Sequence, residues 1–169
     1  MDKYEVKGIV AVESIPKVGE IVDVPMDNPL EVYRICCEME VLCDANKGIG
    51  LSATQVGIPW KLFIVKTDDY SYYVNCDYEP VTEERIVSLE GCLSVRSEEG
   101  QLRSFQVERH KRVKICGYRL KNNNDNNKVD FEKFDDKLES AEGVVFQHEI
   151  DHQKAVLISD FGKEIFIWQ

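Results

Sequence analysis

The segment QHEIDH, residues 147–152, places two histidines four residues apart, with a glutamate directly after the first. Four residues make about one turn of an α-helix, so on a helix His148 and His152 project from one face and can bind the same metal ion. Glu149 then lies to the side, within reach of a water molecule on that ion but outside its ligand set. This spacing is the helical pattern of metal-dependent hydrolases. A third ligand has to come from elsewhere in the chain.

Three residues are candidates for that ligand. His110, the only other histidine of the sequence, lies in a highly charged segment that predicts an exposed side chain. Glu164, the only glutamate after His152, follows a glycine in a predicted turn. Cys92 in EGCLS, residues 90–94, is the strongest candidate, because one thiolate and two imidazoles leave a coordination position open, as in catalytic zinc sites. This ligand set suits Fe(II), Zn(II), Ni(II) or Co(II).

The elements around these segments have to hold the candidate ligands in place. Asn28 followed by Pro29 predicts the start of a helix, because asparagine caps helices and proline fits their first turn. An apolar stripe at helical spacing predicts its buried face: Leu30, Tyr33, Cys37 and Val41. Strands are predicted at WKLFIVK, YSYYVNC and ERIVSL. The run KNNNDNN, residues 121–127, predicts a hairpin loop between RVKICGYRL and KVDFEKF.

The metal-binding helix is predicted to start near Asp135 or Asp136, and a short strand, EIFIW, is predicted to follow Gly162. Strands in the first part of the chain and a helix late in it indicate an α+β fold. We therefore expect mostly antiparallel β-sheets packed around a C-terminal metal-binding helix, with another helix near the N-terminus.

The composition narrows the class of protein further. A length of 169 residues, of which 43% are hydrophobic, predicts one globular domain over residues 1–169. No segment approaches the roughly 18 apolar residues of a membrane span, and the first residues lack an apolar run, so we expect neither a membrane partner nor a secretory signal. The six cysteines are then expected to be reduced, in the cytoplasm. The net charge of −10 disfavours DNA as a partner, and the basic run 109–114 is interpreted as a solvated strand end.

Three motifs occur in a fixed order: GIGLSATQ at residues 48–55, EGCLS at 90–94 and QHEIDH at 147–152. In this order, and in the spacing within each motif, the chain resembles the peptide deformylase family. The resemblance extends from the helix that starts at Asn28 to beyond His152. The three motifs together are far more specific than any one of them.

The chain departs from the family pattern at three positions outside the predicted ligands. Ser52 stands where the family usually has the first of two alanines, and Cys76 stands where it commonly has proline. Arg96 stands near the position of a proline that usually follows the cysteine motif. These departures bear on substrate fit more than on chemistry. The alignment leaves open whether Arg103 or Arg109 matches the arginine that the family carries in this region.

The resemblance implies a catalytic domain that removes the formyl group from N-formyl-methionyl peptides and nascent chains, releasing formate. It implies one divalent metal ion, with Fe(II) as the native metal and Zn(II) or Ni(II) as alternatives. The ligands would be Cys92, His148 and His152. Glu149 would take a proton from water and deliver it to the leaving amine. The side-chain amide of Gln55 and the backbone N–H of Leu93 would stabilise negative charge on the formyl oxygen.

The resemblance also implies how the peptide would bind. The glycine loop would offer its backbone to the peptide as to an additional strand, which explains tolerance of many second and third residues. The implied substrate-binding residues are Gly48, Ile49, Gly50, Gly91, Val144 and Val145. The two valines would help to line the methionine pocket, although plain core packing explains them nearly as well. Glu90 is expected to pair with a nearby arginine, and Asp151 to form a salt bridge rather than to act as a base.

Two other functions are compatible with the helix motif. A zincin-type endopeptidase would keep the helix but would need a different third ligand. A non-catalytic, metal-stabilised binding module would keep the fold, but the intact Glu149 and Gln55 argue against it. We expect a monomer. Docking to the ribosome through a long C-terminal helix is not expected, because few residues follow the metal helix and the net charge of −10 disfavours RNA. Other contact with the ribosome is left open.

Overall fold

The computed structural model describes residues 4–123 and 128–166. The α-helices are α1 (Pro29–Ala45), α2 (Ser140–Gln153) and the short α3 (Ile158–Phe161), with 3-10 turns at Val12–Ser14 and Ala53–Val56. The strands are β1 (Gly50–Ser52), β2 (Leu62–Lys66), β3 (Tyr70–Pro80), β4 (Arg85–Arg96), β5 (Leu102–His110), β6 (Arg112–Asn123), β7 (Lys128–Glu139) and β8 (Lys163–Ile165).

These strands form two antiparallel sheets. The larger sheet has five strands in the order β1-β2-β3-β6-β7, and the smaller has three in the order β4-β5-β8. Helix α2 lies between them: Phe146 and Ile150 pack against the larger sheet, while Asp151 pairs with Arg109 of the smaller one. The prediction of an α+β fold with mostly antiparallel sheets around a helix late in the chain is confirmed.

Strand β2 of the five-stranded sheet is buried on both faces. Leu62 and Ile64 belong to the core cluster that contains the buried side of α1. Phe63 and Val65 point the other way, into the cluster that contains Phe146 of α2. Successive side chains of a strand point to opposite faces, so a strand covered on both sides reads as a continuous apolar run. The run LFIV in the sequence has this form.

Helix α1 begins as predicted, but its buried face is a different one. Asn28 Oδ1 accepts a hydrogen bond from the Glu31 backbone N–H at 3.2 Å, and Pro29 opens the helix. Leu30 and Val41 of the predicted stripe are 62% and 73% exposed, so the prediction is wrong for these two, while Tyr33 is partly buried against the core. The buried residues are Val32, Ile35, Cys36, Met39 and Cys43. The predicted and the observed residues both have helical spacing. The face that packs against the sheet is the one with the larger aliphatic side chains.

The start of the metal-binding helix was predicted too early. Asp135 and Asp136 belong to strand β7, where they pair with Cys116 and Ile115 of β6, and the chain turns into α2 only at Ser140. The reason is that β6 offers a long partner, with pairing over the whole of β7. Both aspartates stay exposed to solvent in this hairpin. Strand pairing with β6 therefore outweighs their local resemblance to a helix cap.

Two other predictions fall partly outside the described residues. Of the predicted loop 121–127, the first three residues continue strand β6, and residues 124–127 lie outside the described part of the chain. Of the predicted strand EIFIW, β8 contains Glu164 and Ile165, and its last two residues lie outside. The structure shows all six cysteines unbridged, with four of them buried. None of the helices within the described residues combines the length and apolar character needed to cross a membrane.

Phe146 joins α2 to the larger sheet, and we predict that its truncation destabilises the fold strongly. Its ring contacts those of Phe63, Tyr73 and Phe134, with centroid distances of 5.5, 4.7 and 6.1 Å. Phe146→Ala should lower the free energy of unfolding by about 3–5 kcal/mol, because it removes buried surface and leaves a cavity. Urea denaturation measures this loss. Phe166→Ala, at a ring that is 79% exposed, is the control, and equal small losses in both variants would contradict the packing described.

Candidate metal centre

Cys92, His148 and His152 converge between β4 and α2. One potential ligand atom of each lies within 4.8 Å of those of the other two. The Cys92 Sγ to His152 Nε2 distance is 3.5 Å. Ligand bonds of about 2.3 Å to sulfur and 2.05 Å to nitrogen, at a tetrahedral angle, separate the two ligand atoms by about 3.6 Å. The thiol and the two imidazoles therefore fit a single divalent ion, while His110 and Glu164 take no part in the cluster.

The two rejected candidates have other contacts. Glu164 of β8 pairs with Arg103, with Arg103 Nε to Glu164 Oε1 at 2.7 Å. His110 ends strand β5, where the side-chain amide of Gln147 bonds both its backbone N–H and its carbonyl. The His110 ring is half-buried, so the prediction of an exposed ring is wrong. The surrounding charges along the sequence did not show that the backbone of His110 is bonded to a side chain of α2.

The orientation of His148 is set by Glu90. Its Nδ1 lies 2.9 Å from Glu90 Oε2, which leaves Nε2 directed to the cluster. A carboxylate behind a metal-binding histidine is a common arrangement, because it fixes both the ring and its tautomer. Burial disfavours the charged form of His148, but hydrogen bonds with Cys92 and Glu90 outweigh it and raise its pKa to about 10. Burial, together with the charge of His148, lowers the pKa of His152 well below its usual range.

Glu90 itself is held by a buried arginine. Arg109 Nε and Nη2 each donate to one oxygen of Glu90 at 2.8 Å. Arg109 Nη1 reaches Asp151 Oδ2 at 2.5 Å, and Tyr78 donates to the other oxygen of Asp151 at 3.3 Å. Burial opposes the ionised form of Glu90, but Arg109 and His148 prevail and lower its pKa to about 2. The expected ion pair of Glu90 and the expected salt bridge of Asp151 are both confirmed.

The interpretation of the basic run 109–114 as a solvated strand end is wrong for its first member, since Arg109 is only 3% exposed. The alternation of strand β5 contains the missed signal. Phe105 and Val107 are buried, and Arg109 continues the same face at the spacing of two. Of the two arginines left open by the sequence, Arg109 is the partner of Glu90, and Arg103 pairs with Glu164.

Glu149 is buried against the glycine loop. Its side chain is 4% exposed, and Oε2 has no hydrogen-bond partner among the described residues. A Cβ atom at Gly50 would lie 2.5 Å from Glu149 Oε1, so this glycine leaves the space that the carboxylate occupies. Burial raises the pKa of Glu149 to about 7, although the charges of His148 and Arg109 act in the opposite direction. The carboxyl group of the residue that follows His148 is therefore buried beside the glycine loop.

Gln55 lies beside Cys92. Its Oε1 accepts the Ser52 backbone N–H at 2.9 Å, which fixes the orientation of the amide. Its Nε2 lies 3.1 Å from Ser94 Oγ and 3.4 Å from Cys92 Sγ, so an amide N–H faces the cluster. The contact of Ser94 with Gln55 was not predicted from the sequence. The place of Ser94 directly after Leu93 in the cysteine motif could have indicated that it lies near the site.

The three departures from the family pattern have structural explanations. The buried Ser52 hydroxyl donates to the Leu62 carbonyl at 3.3 Å. Cys76 packs against Gly117, where a Cβ atom would lie only 2.4 Å from the Cys76 sulfur. Arg96 Nε donates to the Leu93 carbonyl at 3.0 Å, in the part of β4 where the register with β5 shifts. Arg96 therefore holds the backbone that follows Cys92, where regular strand pairing is interrupted.

A cavity of about 380 Å³ opens onto this cluster. Cys92, His148, Glu149, Gln55 and Leu93 all contribute to its wall. The six predicted substrate-binding residues also line it: Gly48, Ile49, Gly50, Gly91, Val144 and Val145. The wall also contains residues that the sequence did not indicate: Lys47, Ser88, Leu89, Leu102 and Ala141. A larger groove of about 680 Å³, lined in part by Arg96 and Arg103, contains none of the three candidate ligands.

Fold and site together define an α+β protein in which one helix supplies two imidazoles and a neighbouring strand supplies a thiol to a candidate metal centre. The sequence model of the polypeptide deformylase family matches residues 17–164. The chain belongs to the polypeptide deformylase family. Members of this family are metal-dependent, in agreement with the cluster of Cys92, His148 and His152.

Individual relatives agree with this assignment. A peptide deformylase from Thermotoga neapolitana is 35% identical over 114 residues, which cover 67% of this chain and 61% of that protein. The match thus spans less than two thirds of the relative's length. The crystal structure of peptide deformylase from Thermotoga maritima superimposes with a TM-score of 0.70 at 26% identity, covering 93% of this chain and 97% of that chain. A class I type b peptide deformylase from Acinetobacter baumannii, at 23% identity, has the same fold, with a TM-score of 0.75 and coverage of 92% and 99%.

The cluster predicts a specific dependence of metal content on Cys92. We expect one ion per chain in the wild-type protein and a large loss of bound metal in Cys92→Ala after dialysis against a weak chelator, because two imidazoles alone hold a divalent ion poorly. Elemental analysis measures the content. Cys116→Ala, at the exposed cysteine, is the matched control and should keep its metal. Equal metal content in the two variants would show that the thiol of Cys92 is not a ligand.

Proposed function

We propose that this chain removes the formyl group from the N-terminal formyl-methionine of peptides and nascent chains, releasing formate and a free amine. The observation that carries the proposal is the convergence of Cys92, His148 and His152 beside the buried Glu149, at the wall of a cavity of about 380 Å³. Membership of the polypeptide deformylase family and the names of the relatives support it. The chain would act in the cytoplasm as one catalytic domain over residues 1–169.

The proposed metal ligands are Cys92, His148 and His152, with Fe(II) as the native ion and Zn(II) or Ni(II) as alternatives. A thiolate with two imidazoles suits all three metals. An ion held by these three residues would supply Lewis-acid chemistry, lowering the pKa of a bound water and polarising the formyl carbonyl. Glu90 contributes by holding the His148 ring at 2.9 Å, with its own carboxylate fixed by Arg109.

Glu149 is the proposed proton carrier. Its Oε2 is buried without a partner among the described residues and is thus available to the attacking water. Glu149 accepts a proton from that water as the carbon–oxygen bond forms. It then delivers the proton to the nitrogen of methionine as the carbon–nitrogen bond breaks, because an amine leaves only once it is protonated. Formate and the unblocked peptide are the products.

Two donors are proposed for the oxygen of the formyl group. Charge develops on this oxygen as water adds, and fixed N–H groups stabilise it. The Gln55 amide is suited to the task, since Ser52 and Ser94 fix its orientation. The backbone N–H of Leu93 is the second donor, and Arg96 holds the carbonyl of the same residue.

The peptide is proposed to bind as an additional strand. Strand β1 is an edge of the larger sheet and β4 an edge of the smaller one, and residues of both line the cavity. Gly48, Ile49, Gly50 and Gly91 would contribute the backbone for this pairing. The methionine side chain would lie against Val144 and Val145. Val145 also packs against the core cluster of Phe146, so the packing explanation of this valine holds as well.

The two alternative functions are not favoured. A zincin-type endopeptidase needs a third ligand other than Cys92, yet Glu164 is engaged by Arg103. A non-catalytic binding module would have no use for a buried glutamate beside the cluster. For partners, we propose formyl-methionyl peptides and nascent chains, with no DNA and no membrane, and we expect a monomer. Contact with the ribosome is left open.

Formate release from a formyl-Met peptide, measured anaerobically with Fe(II) added back, tests the proposal. Glu149→Gln keeps the size of the side chain but removes the proton carrier. We expect near-normal metal content and a loss of turnover of about a hundredfold or more. Glu142→Gln, at an exposed position of the same helix, is the control. Turnover by Glu149→Gln at the wild-type rate would contradict the mechanism, and absence of formate release by the wild-type protein would contradict the function.

A further inference from the structure

The first part of the chain contacts the backbone of a proposed oxyanion donor. Residues 4–15, which we call the N-terminal strap, lie before the region 17–164 that the family model matches. Within the strap, the backbone N–H of Val10 donates to the backbone carbonyl of Gln55 at 2.9 Å. The strap therefore reaches the residue whose side-chain amide faces the candidate metal centre.

The segment that follows Gln55 offers its carbonyl no donor of its own. In the turn Ala53–Val56, the two carbonyls before that of Gln55 already accept the N–H groups of Gly57 and Ile58. Pro59, the next residue, has no N–H to donate. A buried carbonyl is costly to leave without a partner, and Gln55 is only 2% exposed. The N–H from the strap therefore fixes where this peptide group lies.

The side chain of Val10 joins the same point of the strap to the surroundings of the thiol. It packs against the buried cluster that contains Cys92 and Val95. It also lies against Gly57, where a Cβ atom would be 3.4 Å from the Val10 Cγ1 atom. One residue of the strap thus contacts both the turn that carries Gln55 and the apolar cluster around Cys92.

The beginning of the strap is held by α1 and by an aromatic contact. Arg34 donates to the backbone carbonyl of Tyr4, and Glu38 Oε2 accepts the Val6 backbone N–H at 3.3 Å. The ring of Tyr4 packs edge-on against that of Trp60, with a centroid distance of 4.9 Å. These contacts limit the movement of the strap, so it presents its donor to the turn at a fixed position.

We propose that Val10 is a positioning residue for the reaction, because its N–H fixes the backbone of Gln55 and thereby places the side-chain amide at the formyl oxygen. This inference rests on the proposed function. Ser52 and Ser94 orient the amide, while the backbone sets the point from which the side chain extends. Without the bond from Val10, the buried carbonyl would turn towards another donor, and the amide would move with it. Oxyanion donors act through such fixed placement, since they need not reorganise as charge develops.

Val10→Pro tests the inference, because proline removes the N–H and keeps an apolar side chain. On the Fe(II)-loaded protein with formyl-Met-Ala-Ser, we expect kcat to fall about tenfold, with KM and metal content within twofold of wild type. The reason is that the amide acts on charge that exists only near the transition state. Ala11→Pro is the matched control in the same strap. Its φ of −62° already suits proline, and it should keep the wild-type kcat.

The dependence on Gln55 separates positioning from a general loss of stability. In Gln55→Ala the amide is already absent, so adding Val10→Pro should lower kcat no further. An equal loss in both backgrounds would overturn the inference, because Val10 would then act through the fold as a whole. If Val10→Pro does not fold, Tyr4→Ala takes its place, since it releases the strap from Trp60 but keeps the N–H of Val10. It should cause a smaller loss that again requires Gln55.

The NMR signal of the Gln55 side-chain amide reports its position without turnover. The signal is assigned as the one that Gln55→Ala lacks, and it is measured in the Zn(II)-loaded protein. Val10→Pro should shift this signal, and Ala11→Pro should not. A shifted signal in a protein that releases no formate would overturn the proposed function and retain the inference. An unshifted signal in Val10→Pro would overturn the inference and leave the function intact.

Discussion

The buried guanidinium of Arg109 is the constraint on which the geometry of the site depends. It is 3% exposed and joins Glu90 of β4 to Asp151 of α2, from its own place on β5. A charge removed from water is tolerated only when partners satisfy it, and the loss of one partner is costly. The strands of the smaller sheet and the helix between the sheets therefore have one favourable relative position. That position brings the thiol of Cys92 on β4 to the two imidazoles of α2.

Each later feature of the site builds on this placement. Glu90, held by Arg109, orients the ring of His148. The same turn of α2 presents Glu149 to the space that Gly50 leaves open. The edge strands of both sheets, β1 and β4, then contribute residues to the wall of one cavity. Buried ion pairs often contribute little net stability. The effect of the network of Arg109, Glu90 and Asp151 is therefore to position the candidate ligands.

The two histidines and the glutamate of the candidate site were predictable from the sequence because their spacing is local. Histidines four apart specify one face of a helix, whatever the rest of the fold. Cys92 was predicted from its flanking motif. Its distance from His152 could not be predicted, because that distance depends on strand pairing. Asp135 and Asp136 resembled a helix start, but a long antiparallel partner kept them in β7. The burial of Arg109 was not predicted, because its neighbours in the sequence are charged. Its spacing of two from Val107 nevertheless places it on the buried face of the strand.

The direct test of this account is the metal affinity of Arg109→Met, measured by competition with a chromophoric chelator. We predict that affinity falls by about 10- to 100-fold, as is usual when the partners behind metal ligands are lost. Arg103→Met, at the partly exposed pair with Glu164, should bind as tightly as wild type. Glu90→Gln is the second variant, to be used if Arg109→Met does not fold. It keeps the volume of the side chain and should weaken metal binding in the same way. Wild-type affinity in a folded Arg109→Met or in Glu90→Gln would contradict the claim that this ion network positions the metal ligands.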